Sequence, residues 1–153
     1  MIDGDRVVYE VRYPHPVQAV WRAMTDPAAL AAWLMPNDFA PTVGHRFRFD
    51  AHPDFGFIDG EVVEVAPPHL LRCRWTIAGV PTTLTVRLEV DGGGTLLSLE
   101  HVGLPPEPRS GFDGGWGNKL QRDLVSVLGG ARDPARSQVG QGLYRHPDLE
   151  APR

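Results

Sequence analysis

The sequence predicts an α+β domain: a six-stranded curved antiparallel sheet, two short helices after its first strand, and one long C-terminal helix. Three observations carry this reading. Most of the chain from Phe47 to His101 alternates apolar and polar residues with period two. The connections Ala66-Pro67-Pro68-His69, Ala78-Gly79-Val80-Pro81 and Asp91-Gly92-Gly93-Gly94 are too short for parallel crossovers, so the strands form an antiparallel meander. A single later segment repeats Phe112, Trp116, Leu120, Leu124 and Val127 at three-to-four spacing, the signature of a helix with one apolar stripe.

The first strand puts Val7, Tyr9, Val11 and Tyr13 on one phase, and Pro14-His15-Pro16 stops it. Val17, Val20, Trp21 and Met24 then follow helical spacing, with Pro16 suited to the first turn, where a missing N–H costs little. Asp26 is a good N-cap and Pro27 a good first residue for the second helix, whose apolar side is Leu30, Trp33 and Leu34. Phe47 and Phe49 mark the second strand, which ends in the turn-rich His52-Pro53-Asp54-Phe55-Gly56. In the third strand Phe57, Val63 and Val65 share one phase while Ile58 and Val62 share the other, so its inner face stays open. Leu71, Cys73, Trp75 and Ile77, then Leu84, Val86, Leu88 and Val90, then Leu97, Leu99 and His101, give clear inward phases to the last three strands. Arg72, Arg74 and Arg87 fall on the opposite, solvated face. The C-terminal helix opens with a capping-box pattern, Ser110 and Asp113, and ends at Gly129-Gly130.

Length and composition limit the functions available. At 153 residues the chain suits one domain that buries roughly 70% of its unfolded surface. Residues 1–130 read as that domain, and 131–153, with few apolar residues beyond Val139, Leu143, Tyr144 and Leu149, as a flexible tail. A net charge of −4 with scattered Arg residues and a single lysine, Lys119, argues against a nucleic-acid partner. Cys73 is the one cysteine, which excludes an internal disulfide and a multi-cysteine zinc site. No run of apolar residues is long enough to span a membrane, and the acidic start lacks signal-peptide character, so a soluble cytoplasmic protein is expected.

The order of elements leaves one helix gripping one face of a bent sheet, and an apolar pocket belongs in the gap between them. Several segments occur in an order that resembles a known family: Val20-Trp21-Arg22-Ala23-Met24-Thr25-Asp26-Pro27 with Leu30 and Trp33-Leu34; Val43-Gly44-His45-Arg46-Phe47; and Gly60-Glu61-Val62. Pro67-Pro68-His69-Leu70, Trp75, Gly94-Thr95, Leu99-Glu100-His101-Val102-Gly103-Leu104 and Gly115-Trp116 continue it. Together they resemble the activator of heat-shock-protein-ninety ATPase homologue family, within the START-like (SRPBCC) superfamily. The resemblance covers about residues 6–129 and implies a helix-grip fold with a hydrophobic ligand cavity. It implies no particular reaction. His15 stands where small or polar capping residues are usual in that family, and the tail from Ala131 falls outside its pattern.

Candidate ligand-binding residues are the inward-facing Trp33, Phe47, Phe49, Trp75, Leu97, Leu99, His101, Trp116 and Leu120. For each aromatic ring, core packing is the competing reading. His101 is the most informative polar residue because it shares an apolar phase. A neutral imidazole there serves as a hydrogen-bonding or acid/base group at a cavity wall, or as a structural histidine near the start of the last helix. It is also the catalytic candidate, with Tyr9 or Tyr13 as helpers. Asp50, His52 and Asp54 read as a solvated turn, with a metal site as the alternative. Cys73, between Leu71 and Trp75, reads as an inert core thiol.

Three functions compete. The first is a binding protein for a small hydrophobic or amphipathic ligand, needing no cofactor. The second is a cyclase- or dehydratase-like enzyme using His101, and the third a chaperone-linked interaction protein, which the family resemblance suggests and no docking patch supports. Monomer and homodimer both stay open.

Overall fold

The computed structural model describes residues 2–53, 56–104 and 115–132. Asp54, the expected cap at Ser110 and Asp113, Phe112, and the tail beyond residue 132 lie outside the described residues. Seven strands form one antiparallel sheet: β1 (Ile2–Asp3), β2 (Arg6–Tyr13), β3 (Arg46–Ala51), β4 (Gly56–Ala66), β5 (Leu70–Ile77), β6 (Val80–Asp91) and β7 (Gly94–Val102), in the spatial order β1-β2-β7-β6-β5-β4-β3. The meander is as expected, with β2 returning to pair with β7 in the register Val7↔His101 to Tyr13↔Thr95. The strand count is one higher than expected because Ile2 and Asp3 turn back at Gly4, which has φ 65°, onto Val7 and Arg6. Two residues are too few to show an alternation.

Helices α1 (Val17–Thr25) and α2 (Pro27–Trp33) follow β2. Asp26 caps α2 by accepting the Ala29 N–H at 3.0 Å, with Pro27 in the first turn. Pro16 sits at the cap position of α1 rather than inside its first turn, its carbonyl accepting from Ala19 and Val20.

The conflicting phases of the third expected strand have a physical cause. In β4, Ile58 and Val62 are buried and Phe57 is 48% exposed, so the even residues face inward at first. The register with β5 then shifts between Val62 and Glu64. One extra residue at this bulge moves the inward phase to odd positions, and Val65 packs on the core. Both phases are inward, in different halves of one strand.

The C-terminal helix departs from ideal in a related way. It is α-helical over 115–118, passes through a π-helical turn at Lys119–Asp123, and continues as α3 (Leu124–Arg132), two residues past Gly130. Its buried stripe is Trp116, Leu120, Leu124 and Leu128, whereas Val127 is only partly buried. Residues four apart drift about 40° per step round an α-helix. The wider turn, in which the Leu124 N–H reaches back to the Lys119 carbonyl, takes up part of that drift. The Tyr13 hydroxyl donates to the Leu120 carbonyl at 2.7 Å inside this turn, tying β2 to the helix. Helices α1 and α2 pack against α3, and α1 also touches β6 and β7. The result is a helix-grip fold.

Candidate functional site

Between the inner face of the sheet and the turn of the C-terminal helix that carries Trp116 lies a continuous set of buried rings. The strand period brings Phe47 and Phe49 of β3 and Trp75 of β5 to one face, and helical spacing brings Trp116 down onto it. Ring centroids are 5.4 Å apart for Phe47–Phe49, 5.4 Å for Phe49–Trp75 and 5.7 Å for Trp75–Trp116. These are tilted and edge-on contacts of the kind aromatic quadrupoles favour. Gly60 makes the arrangement feasible. It pairs with Phe47 on one side and Trp75 on the other, and a Cβ there would lie 2.4 Å from the Phe47 ring and 2.3 Å from the Arg74 carbonyl oxygen.

His101 closes the set, with centroids 5.6 Å from Trp75 and 6.1 Å from Trp116. Its side chain is fully buried. Trp116 Nε1–H donates to His101 Nδ1 at 3.1 Å. On the other side, His101 Nε2 and Thr82 Oγ1 are 2.7 Å apart, and the Thr82 hydroxyl lies 2.7 Å from the Trp75 main-chain oxygen. Proton order follows from donor inventory. The Trp75 oxygen only accepts, so the one hydroxyl hydrogen of Thr82 goes there, and Thr82 Oγ1 must accept from Nε2–H. The indole can only donate, so Nδ1 is bare. A directed chain therefore runs from Trp116 through His101 and Thr82 to the Trp75 carbonyl, and it requires one neutral tautomer. Burial supports the same state by pulling the His101 pKa down to about 4.

The other expected site residues are placed as follows. Leu97, Leu99 and Leu120 are fully buried, the two leucines of β7 on the face that carries His101. Trp33 is equally buried, and its indole donates to the Ala23 carbonyl at 2.7 Å, fastening α2 to α1. Of the helpers considered for His101, Tyr13 is committed to Leu120, and burial raises its phenol pKa. The Tyr9 hydroxyl packs 2.7 Å from where a Cβ on Gly117 would stand. Cys73 is buried, its thiol pushed up to about 12 by desolvation, as suits a core residue. Asp50 and His52 are half-exposed and paired at 2.6 Å, which lowers the Asp50 carboxyl. Among the described residues no cluster of His, Cys, Asp or Glu suits a metal ion.

Two members of the site escaped the sequence reading. Phe39, in the irregular chain before β3, lies 5.1 Å from the Phe47 ring, and no periodicity marks it. Thr82 was legible in part, since it precedes Leu84, Val86 and Leu88 by even steps on the inward phase of β6.

Comparison with known proteins supports the fold and places the chain. The structure of protein MLL2253 from Mesorhizobium loti superposes with a TM-score of 0.77 at 34% identity, over 84% of this chain and 98% of that one. CalU16 from Micromonospora echinospora gives 0.70 at 25%, over 91% and 85% of the two chains. DynU16, described as encoded in the dynemicin biosynthetic locus, gives 0.68 at 32%, over 82% of this chain and 46% of that one. No curated protein matches significantly. No helix among the described residues is long and apolar enough to cross a membrane. With a family-wide sequence profile matching residues 14–129, and Trp21, Asp26, Trp75, His101 and Trp116 all inside that span, the chain belongs to the activator of Hsp90 ATPase homolog 1-like family.

Proposed function

We propose that this protein binds a small apolar or amphipathic molecule between its C-terminal helix and the sheet, and holds it mainly by burial. The observation that carries this reading is the directed chain through His101. Both ring nitrogens are engaged by protein groups, and the ring lies against Trp75 and Trp116. An acid/base catalyst needs a ring nitrogen within reach of the proton it moves, and a pKa near the working pH. A pKa near 4 favours a hydrogen-bonding wall over a proton shuttle, even where a ligand group replaces one of the protein partners. DynU16 adds a circumstantial argument, since a gene in a biosynthetic locus is a setting in which a small-molecule binder has a use. A cyclase-like reaction would need a second catalytic group beside His101, and a chaperone-linked role draws only on the family's name.

The test has two arms. Native mass spectrometry of protein purified from its own cells should retain a small-molecule adduct. Titration with 1-anilinonaphthalene-8-sulfonate, an amphipathic fluorophore, should saturate at one per chain with quenching of tryptophan emission. Absence of both an adduct and saturable binding would overturn the reading.

A further inference from the structure

We propose that the protein selects ligands that donate a hydrogen bond: flat aromatic molecules bearing a hydroxyl, which displace the Trp116 indole and bond His101 Nδ1. The inference rests on the binding reading above and adds the chemical class of the ligand. Its first support is the proton order. Thr82 fixes the hydrogen of His101 on Nε2 by spending its own hydroxyl hydrogen on the Trp75 carbonyl. Nδ1 then presents a bare lone pair toward the helix, and whatever replaces Trp116 there must donate. A ketone, ether or carboxylate would set two acceptors against each other in a buried site, leaving both without a hydrogen bond.

The second support is that the turn bearing Trp116 is built from weak helix formers. Gly115 and Gly117 flank the tryptophan, each a poor helix former, and the π turn begins two residues beyond Gly117. Downstream, the Tyr13–Leu120 bond and the buried Leu124 and Leu128 hold the rest of the helix on the core. Displacement of Trp116 therefore leaves the anchored part in place. The third support is shape. A planar ring seated where Trp116 lies inherits its tilted contact with Trp75, 5.7 Å between centroids, and the edge contact with His101.

The experiment compares three probes of similar size: 2-naphthol, which donates; 2-methoxynaphthalene, which only accepts; and naphthalene. Burial alone ranks 2-methoxynaphthalene above 2-naphthol, because it carries more apolar surface. We expect the reverse, with 2-naphthol about tenfold tighter by calorimetry or tryptophan quenching. Trp116→Phe, which removes the competing indole N–H, should strengthen both probes and preserve the preference for 2-naphthol. Thr82→Val releases the tautomer and should bring the two affinities together. Nitrogen-15 NMR of the wild type reads the tautomer directly and does not depend on either variant folding.

Equal affinities, or a preference for the ether, would overturn the proposal while the binding reading stands. So would a proton found on Nδ1, or selectivity that persists in Thr82→Val. If none of the three probes binds but the anionic fluorophore does, displacement at Trp116 is wrong and the wider reading survives. If the fluorophore fails as well, both fall.

Discussion

The two faces of the sheet use polar residues in opposite ways. On the outer face, Arg6–Glu100, Arg72–Glu64 and Arg48–Asp59 form ion pairs across neighbouring strands at 2.6, 2.5 and 2.7 Å, and their side chains keep roughly a third to more than half of their solvent exposure. On the inner face there are few polar groups, and each is buried with a partner: His101 with Trp116 and Thr82, Thr82 with the Trp75 carbonyl, Tyr13 with the Leu120 carbonyl. Short distances on the outer face carry little energy, because water and salt screen the charges and two long side chains must be ordered. The inner bonds carry more, since breaking one strands a group that water cannot reach. Distance alone does not rank these contacts; burial does.

Four substitutions or titrations test that ranking. The largest effect belongs to the aromatic set: Trp75→Ala should cost about 3–5 kcal/mol in urea-unfolding free energy, and a loss under 1 kcal/mol would mean the rings border open space. Next comes the response to acid. The His101 pKa is lowered in the folded state, to about 4 from an ordinary 6.5. Below pH 6.5 the unfolded chain takes up a proton that the folded chain refuses. Stability is therefore complete above pH 6.5 and falls between 6.5 and 4, by about 3 kcal/mol in all. His101→Gln should remove most of that slope in chemical denaturation followed against pH, and an unchanged slope would show that the ring titrates freely. Gly60→Ala forces a methyl against the Phe47 ring and a main-chain oxygen, so a loss of about 1–3 kcal/mol is expected in melting experiments, with Phe47 displaced. The smallest effect lies outside: a double-mutant cycle on Arg48 and Asp59 should give at most about 1 kcal/mol, fading in high salt. A coupling that survives high salt would blur the contrast between the faces.

What the sequence made legible follows the same division. The phases of β2, β5, β6 and β7 were readable because a strand with one wet face writes its orientation into its alternation, and Arg72, Arg74 and Arg87 marked the wet side; Val90, expected inward, is exposed near the end of β6, beyond the cover of the core. The burial of Trp75, His101 and Trp116 was readable on those grounds. Their mutual bonding was not, because it depends on how β5, β6, β7 and the last helix converge across the 25 residues of chain between Trp75 and His101 and the further stretch to Trp116. Irregularities defeated periodicity at two places. The bulge between Val62 and Glu64 changed phase inside one strand, and the π turn moved burial from Val127 to Leu128. Each inserts one residue's worth of offset, and a pattern of fixed period has no way to announce where its own period changes. Phe39 had no period to belong to.

The π turn at Lys119–Asp123 also bears on how this chain can vary. The turn holds one residue more than an α-helical turn and takes it up as a wider loop of backbone rather than passing it on as rotation. Removing one residue there would close the wider turn to an ordinary helical one and leave everything beyond it in nearly the same rotation relative to the turn that carries Trp116. Leu124 and Leu128 would keep their places in the core, whereas Lys119 and Asp123, paired at 3.2 Å across the turn, would lose their spacing. Length in this short stretch is therefore less tightly constrained than in an ordinary helix: a one-residue deletion is taken up within the turn, as is a substitution on its exposed side, such as at Gln121.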